Sequence, residues 1–383
     1  MRDALGPNTA LCYCTNVHPG TTLDAVRKNL LLHAVPVRDA VAGSGTLGIG
    51  LWLAHDAARA LRYDAHELSA FAAWLTEHRL EVVTLNGFPH ANFHEPVVKH
   101  RVYKPAWDEP ERLRYTTDLA WILAELLPEG GSSTISTLPL GWREWLTAER
   151  MAKCATALRE AASMFEQIAQ QTGRTITLGL EPEPGCVLDT AADVVGFFER
   201  YLDDATRRWI GVCHDMCHAA VMYEEQDAVL RAYRDAGIRV DKVQVSSAID
   251  SPLTREAIDE LRRFAEPRYL HQVCIGDADG RRVAFLEDLP ELLALDDLAS
   301  CGQSCRVHFH VPLFLARIGV LGTTQGEVLP AMRAARDLHG TRCFEVETYA
   351  WSVLPEAMRP NNLASGIAQE LQWLIDACAE TTP

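Results

Sequence analysis

Apolar runs of a strand's length alternate with longer segments of helical period along the whole chain. That alternation is the pattern of a parallel sheet whose strands are joined by crossover helices. The spacing predicts strands at Ala10–Asn16, Thr46–Leu53, Glu81–Asn86, Ser132–Leu138, Thr175–Glu181, Trp209–Asp215, Asp241–Ser247, Arg306–Val311 and Arg342–Thr348. Several are apolar without interruption, as strands buried on both faces are. The helical segments between them include Glu67–His78, which sets Leu68, Phe71 and Leu75 on one stripe. The long Trp142–Gln171 and Tyr223–Ala236 are two more. Eight or nine strand–helix units suit an α/β fold of the closed (β/α)8 TIM-barrel type better than an open doubly wound sheet.

The chain has 383 residues, against roughly 250 for a typical barrel of this kind. The excess falls in one place. Ser247 and Arg342 are about 95 residues apart, where a typical unit takes about 30. Within that stretch Arg268–Ile275 and Val283–Leu286 flank Gly-Asp-Ala-Asp-Gly-Arg, a hairpin-type turn. Residues 1–383 therefore read as a single barrel domain with a segment inserted at about 250–320, between the seventh and eighth strands.

Charge narrows the partners. There are 36 basic and 52 acidic side chains, a formal net charge of −16. Nucleic acid and anionic membrane surfaces are recognised through clustered Lys and Arg, and the sequence has no long basic run. No apolar stretch approaches the roughly 20 residues of a membrane span, and the first residues lack the apolar core of a signal peptide. These features predict a cytoplasmic protein with no nucleic-acid partner and no membrane insertion. It would act on a small polar metabolite, alone, as a homo-oligomer or with pathway proteins. The 11 cysteines include no CxxC pair, so reduced structural thiols are expected rather than a zinc ribbon or redox motif.

Two motif-like strings fail on context. Gly43-Ser-Gly-Thr-Leu-Gly48 matches GxGxxG, but a helical segment precedes it and an apolar run follows, the reverse of a dinucleotide fingerprint. His94-Glu95-Pro96-Val-Val-Lys-His100 resembles a zinc-protease helix only loosely, and Pro96 interrupts the helix that would align its histidines.

The informative residues stand at the ends of the later strands. Glu181 follows the run Thr175–Leu180, and Asp215 ends the next strand, with His218 three residues on. Gln244 lies on the third and Glu347 ends the last. In a parallel barrel these ends face one mouth, where active sites are built. A carboxylate removed from water costs several kcal/mol unless it is paired or bound to a metal. Taken singly, each acid is more simply a helix cap or an arginine partner. As a set on successive strands they would repel one another, and a divalent cation would relieve that repulsion by taking their oxygens as ligands.

The order Glu181, Asp215-x-x-His218, Gln244, Glu347 resembles the xylose-isomerase-like TIM-barrel superfamily of sugar isomerases and epimerases. The resemblance implies one metal ligand at the end of each of strands five to eight: Glu181, Asp215, Gln244 and Glu347. The ion would be Mn²⁺, Mg²⁺ or Zn²⁺. The resemblance also implies that Glu181 and Glu347 transfer a proton on opposite sides of a sugar-like or hydroxy-carbonyl substrate, with His218 orienting it. More narrowly, LCYCTNVHPG, LNGFPHANFH and VHFHVPLF are similar to the TIM-barrel member of the Ebo metabolite-traffic gene clusters. That similarity supplies no reaction, and a non-catalytic metabolite-binding or trafficking barrel is the alternative. The superfamily's endonuclease-IV-like phosphodiesterases need further His ligands at strands three and four, and the Ser- and Thr-rich fourth strand offers none.

Some assignments stay open at this level. Glu183 and Glu345 lie two residues from Glu181 and Glu347 and share their face, so a slip of register would exchange their roles. His18, Asn86, His90 and His94 follow strands one and three and are expected as substrate contacts on the rim. His308 and His310 share a face in the inserted segment, and His310 and His271 are further substrate-binding candidates.

Overall fold

The computed structural model describes residues 9–298 and 300–380. Seven strands follow one another with helices between them: β1 (Ala10–Cys14), β2 (Leu47–Trp52), β3 (Leu80–Asn86), β4 (Ser132–Thr137), β5 (Thr175–Leu180), β6 (Ile210–Asp215) and β7 (Val240–Val245). Six short strands come next: β8 (Ile249–Pro252), β9 (Val273–Gly276), β10 (Arg282–Leu286), β11 (Ser304–Val307), β12 (Arg317–Ile318) and β13 (Leu321–Thr323). The last strand, β14 (Cys343–Val346), returns to the first seven. It closes a parallel barrel in the order β1-β14-β7-β6-β5-β4-β3-β2, a (β/α)8 TIM barrel.

The local chemistry explains these elements. β2 and β6 are buried along their whole length, one face against the barrel interior and the other under helices, hence their apolar composition. The helix Ala65–Glu77 buries Leu68, Phe71 and Leu75, the stripe read from the sequence, and Asp64 caps it by accepting from Glu67 N–H. Two helices begin later than their periodicity suggests. The segment after β4 becomes helical only at Ala148, because Thr147 is the cap and residues Arg143–Trp145 form a separate 3-10 turn. Glu225 likewise starts the helix Gln226–Asp235, and a short helix, Met216–Val221, precedes it.

Between β7 and β14 the chain builds a second sheet, in the order β10-β9-β11-β8-β13-β12, with every pairing antiparallel. The expected strand Arg306–Val311 is not a barrel strand. Only Ser304–Val307 pairs, with β8 and β9, after which His308 N–H bonds to Gln272 C=O and Val311 N–H to Ser247 C=O. Those two bonds carry residues 308–311 from the second sheet towards the barrel mouth.

The barrel interior holds an ion pair rather than an all-apolar plug. Lys242 on β7 pairs with Glu345 on β14, both with no exposure, and Lys242 Nζ also donates to Ser136 Oγ at 3.0 Å. Gly50 on β2 faces them. A Cβ there would lie 1.3 Å from Glu345 Oε1, so the pair occupies the room that this glycine leaves. All 11 cysteines are free thiols. Among the described residues no helix is long and apolar enough to cross a membrane.

Candidate metal centre and active site

Glu181 and Glu347 each extend a barrel strand by one residue into the mouth. Glu181 N–H bonds to Thr137 C=O at 2.9 Å and Glu347 N–H to Val245 C=O at 3.1 Å. With Asp215 at the end of β6, they form a trio of buried carboxylates with ligand oxygens all within 4.8 Å of one another. Helix capping explains half of Asp215. Its Oδ1 accepts from His218 N–H at 2.8 Å and from Ser246 Oγ at 2.9 Å. Its Oδ2 has no hydrogen-bond partner, nor has Glu181 Oε2. Gln244, in register beside Asp215 and Glu345, is fully buried with both amide atoms unpartnered.

Crowding shows in the proton affinities. Burial, then the charges of Glu347 and Asp215, push the Glu181 carboxyl well above the usual range. Burial, then Asp215 and Glu345, push Glu347 up to about 8, although Lys242 and the Asn16 amide oppose the shift. Asn16 Nδ2 donates to Glu347 Oε1 at 2.7 Å and Asn86 Nδ2 reaches the same oxygen at 3.4 Å. For Asp215 burial acts upward, but His218 and His310 together with the hydrogen bonds from His218 N–H and Ser246 Oγ outweigh it and hold the carboxyl below its ordinary value.

Three imidazoles line the same mouth, and their outer partners decide their tautomers. His310 Nδ1 faces the carbonyl of Glu347 at 2.7 Å, so it carries the proton and donates. Its Nε2 is then a lone pair, buried, without a partner and 4.0 Å from Asp215 Oδ2. His218 Nδ1 faces Pro182 C=O at 2.8 Å, which likewise leaves Nε2 as the acceptor nitrogen. For His308 the reasoning runs through Gln272. That amide nitrogen must face the Pro184 carbonyl at 3.0 Å, so its oxygen faces His308 Nδ1 at 2.7 Å. The Nε2 atoms of His218 and His308 thus meet as two lone pairs 3.1 Å apart. Burial pushes the His218 imidazole down to about 4 and that of His308 well below its ordinary value, which disfavours a proton between them.

A donor set of converging carboxylates and imidazole lone pairs, several of them orphaned in the interior, suits a divalent cation. Ring nitrogens held by a hydrogen bond on their far side are how metal-binding histidines are oriented. Glu181, Asp215 and His310 have unpartnered buried atoms for it, Glu347 completes the carboxylate trio, and Gln244 lies beside them.

Residues 39–300, more than half of the chain, match the family model described as xylose isomerase-like TIM barrel. The chain belongs to that family. Among solved structures, this xylose isomerase-like barrel is similar to a protein of the same description from Mycobacterium smegmatis, in complex with magnesium. The two are 11% identical over 99% of each chain, with a TM-score of 0.56, a likeness of fold. Weaker matches include a probable 3-DHS dehydratase from Bacillus anthracis, 13% identical over 95% of this chain and 98% of that one (TM-score 0.49). An L-ribulose 3-epimerase is 14% identical over 97% and 95% (TM-score 0.49). No curated protein matches the sequence.

The barrel's mouth opens into a cleft lined by Glu181, His218, His310, Glu347 and Asn86, among others. Four expected substrate contacts, His18, His90, His94 and His271, do not line it. His18 stacks on His33 and bonds to Tyr13 Oη in a separate recess, because the chain turns outward after β1. His90 lies on the far side of the loop after β3, beside His55 and Tyr115. His271 sits behind the site. It donates through Nδ1 to His308 C=O, bonds through Nε2 to Glu266 and stacks on Phe309, and so pins the segment that carries His308 and His310. His94 supports the site indirectly, with Nε2 on the Asn16 carbonyl at 2.7 Å. The alternative register is resolved. Glu347 is in the mouth, whereas Glu345 is the partner of Lys242 below it. Glu183 also faces the cavity and accepts from Tyr103 Oη at 2.8 Å.

Two groups lie outside the sequence expectations. Lys242 carried a signal, a lysine sharing face parity with Gln244 on a strand that also holds valines. His308 carried only its neighbour's parity, and its aim depends on Gln272 and Tyr103, distant in sequence.

Proposed function

We propose that this barrel is a metal-dependent isomerase or epimerase of a hydroxy-carbonyl metabolite. The observation that carries the reading is the trio of buried carboxylates with orphaned oxygens beside the free Nε2 of His310. Glu181, Asp215, Gln244, Glu347 and His310 are the groups that would hold the ion. Bound there, a divalent ion supplies a Lewis acid that polarises the substrate carbonyl and makes the α-proton more acidic.

The chain's own residues do the rest. Glu347, with Oε1 held by Asn16 and Asn86, takes the α-proton as general base. Glu181, on a strand across the barrel and protonated at the outset, gives its own proton to the opposite face of the same carbon, which is epimerisation. Delivery to the neighbouring carbon, with the hydroxyl proton there passing to the original carbonyl oxygen, is isomerisation. His218, fixed by the Pro182 carbonyl, offers Nε2 to a substrate hydroxyl. In this reading residues 1–383 act as one cytoplasmic domain, and the inserted segment completes the site. The narrower kinship with the Ebo-cluster barrel is proposed on the loops after β1 and β3 and on His308–Phe314.

The test is solvent exchange. Protein loaded with Mn²⁺ should introduce deuterium from D₂O at the α-carbon of at least one of D-fructose, D-psicose or hydroxypyruvate, and chelation should stop it. Metal-dependent binding of these compounds without exchange would replace this reading with the metabolite-binding one. Failure to bind Mn²⁺, Mg²⁺ or Zn²⁺ at a defined site would remove both.

A further inference from the structure

The cavity above the carboxylates is chemically divided. Its floor carries Glu181, Glu347, His218 and Asn86. Its wall is built from Phe88, Phe93, Val98, Val102, Leu270 and Tyr349. Three of the polar side chains among these apolar groups are engaged. Tyr103 Oη donates to Glu183, Tyr269 Oη donates to the Phe93 carbonyl, and Lys99 pairs with Asp288. Phe93, Tyr269 and Tyr349 pack on one another with ring centroids 4.9–5.5 Å apart.

A sugar carries a hydroxyl on nearly every carbon. Against Phe88, Phe93, Val98, Val102 and Leu270 each one would lose water and find no partner, which costs free energy even where shape allows contact. An apolar group gains there instead. We propose that the natural substrate carries its hydroxy-carbonyl head at one end of an apolar body, an alkyl or aryl group that lies along the Phe93–Val102 wall. The inference rests on the chelating reading above and names the substrate class for that site.

Two hydroxamates test it, since they share one metal-binding head and differ only in the tail. Acetohydroxamate and octanohydroxamate are titrated calorimetrically into Mn²⁺-loaded protein. Octanohydroxamate should bind at least tenfold more tightly. Val102→Asp, at a half-buried wall position, should abolish that advantage and leave acetohydroxamate within about threefold, which also reports an intact fold; Phe93→Ser is the second variant with the same expectation. Equal affinities in the parent protein, or an advantage that survives both substitutions, would overturn the substrate class while the chelating site stands. Absence of Mn²⁺-dependent binding by either compound would overturn the chelating site and this inference together.

Discussion

Asp215 uses its two oxygens for different purposes, and that division makes it a clean probe. Oδ1 caps the helix Met216–Val221 and Oδ2 faces His310. Asparagine is as good a cap as aspartate, so Asp215→Asn should keep the fold and lower divalent-metal affinity at least tenfold, measured by calorimetry or metal analysis. The two neighbouring glutamates of the last strand should separate in the opposite sense. Glu347→Gln removes the base but keeps an oxygen, so α-proton exchange should fall by about two to four orders of magnitude with little change in thermal stability. Position alone, one pleat below the mouth, would make Glu345→Gln mild. The structure changes that expectation, because the substitution leaves the Lys242 ammonium buried without its partner. A loss of roughly 3–5 kcal/mol follows, readable by denaturant unfolding.

At the scale of elements, the last helix, Leu363–Glu380, is tied to the inserted segment by one buried acid. Glu370 Oε1 accepts from Leu313 N–H at 3.0 Å and Thr348 Oγ1 at 2.7 Å. Burial pushes this carboxyl up to about 7, although those bonds oppose it. A carboxyl with a raised folded-state pKa binds more protons folded than unfolded, so stability falls as pH rises. Here the fall spans the ordinary carboxylate range up to about pH 7 and levels off above it. Glu370→Gln keeps the acceptor oxygen and removes the charge. It should therefore flatten this part of the stability–pH curve and stabilise the protein at pH 8 by about 2 kcal/mol, checked by urea unfolding at pH 5 and pH 8. The strands and most helices were legible because each follows from local pattern: apolar runs for strands buried twice, a stripe such as Leu68–Phe71–Leu75, and caps such as Asp64. The starts at Ala148 and Gln226 were less so, since a cap competes with a periodicity that runs on past it.

For the whole molecule, the metal reading has a thermodynamic consequence. A cation that binds only the folded state stabilises it by mass action, about 2.7 kcal/mol at a hundredfold excess over Kd. Adding Mn²⁺ to chelator-treated protein should raise the melting temperature by several degrees, and in Asp215→Asn that rise should largely vanish. The sequence by itself determined the barrel, the mouth at which its charged strand ends gather and the excess between β7 and β14, because alternation, strand-end position and length are properties of the chain read in order. It left the register of the last strand open by two residues. Only the tertiary structure decided that Glu347 rather than Glu345 reaches the mouth, for that depends on Lys242 and on the space at Gly50. The same holds for the imidazoles. The aim of His308 and His310 was set by carbonyls and amides contributed from the loop after β5, the segment between β7 and β14 and the residue after β14, and the absence of His18, His90 and His271 from the cavity was set by how their loops pack. Side-chain direction in a loop is fixed by hydrogen bonds to residues far away in the chain, which no local pattern records.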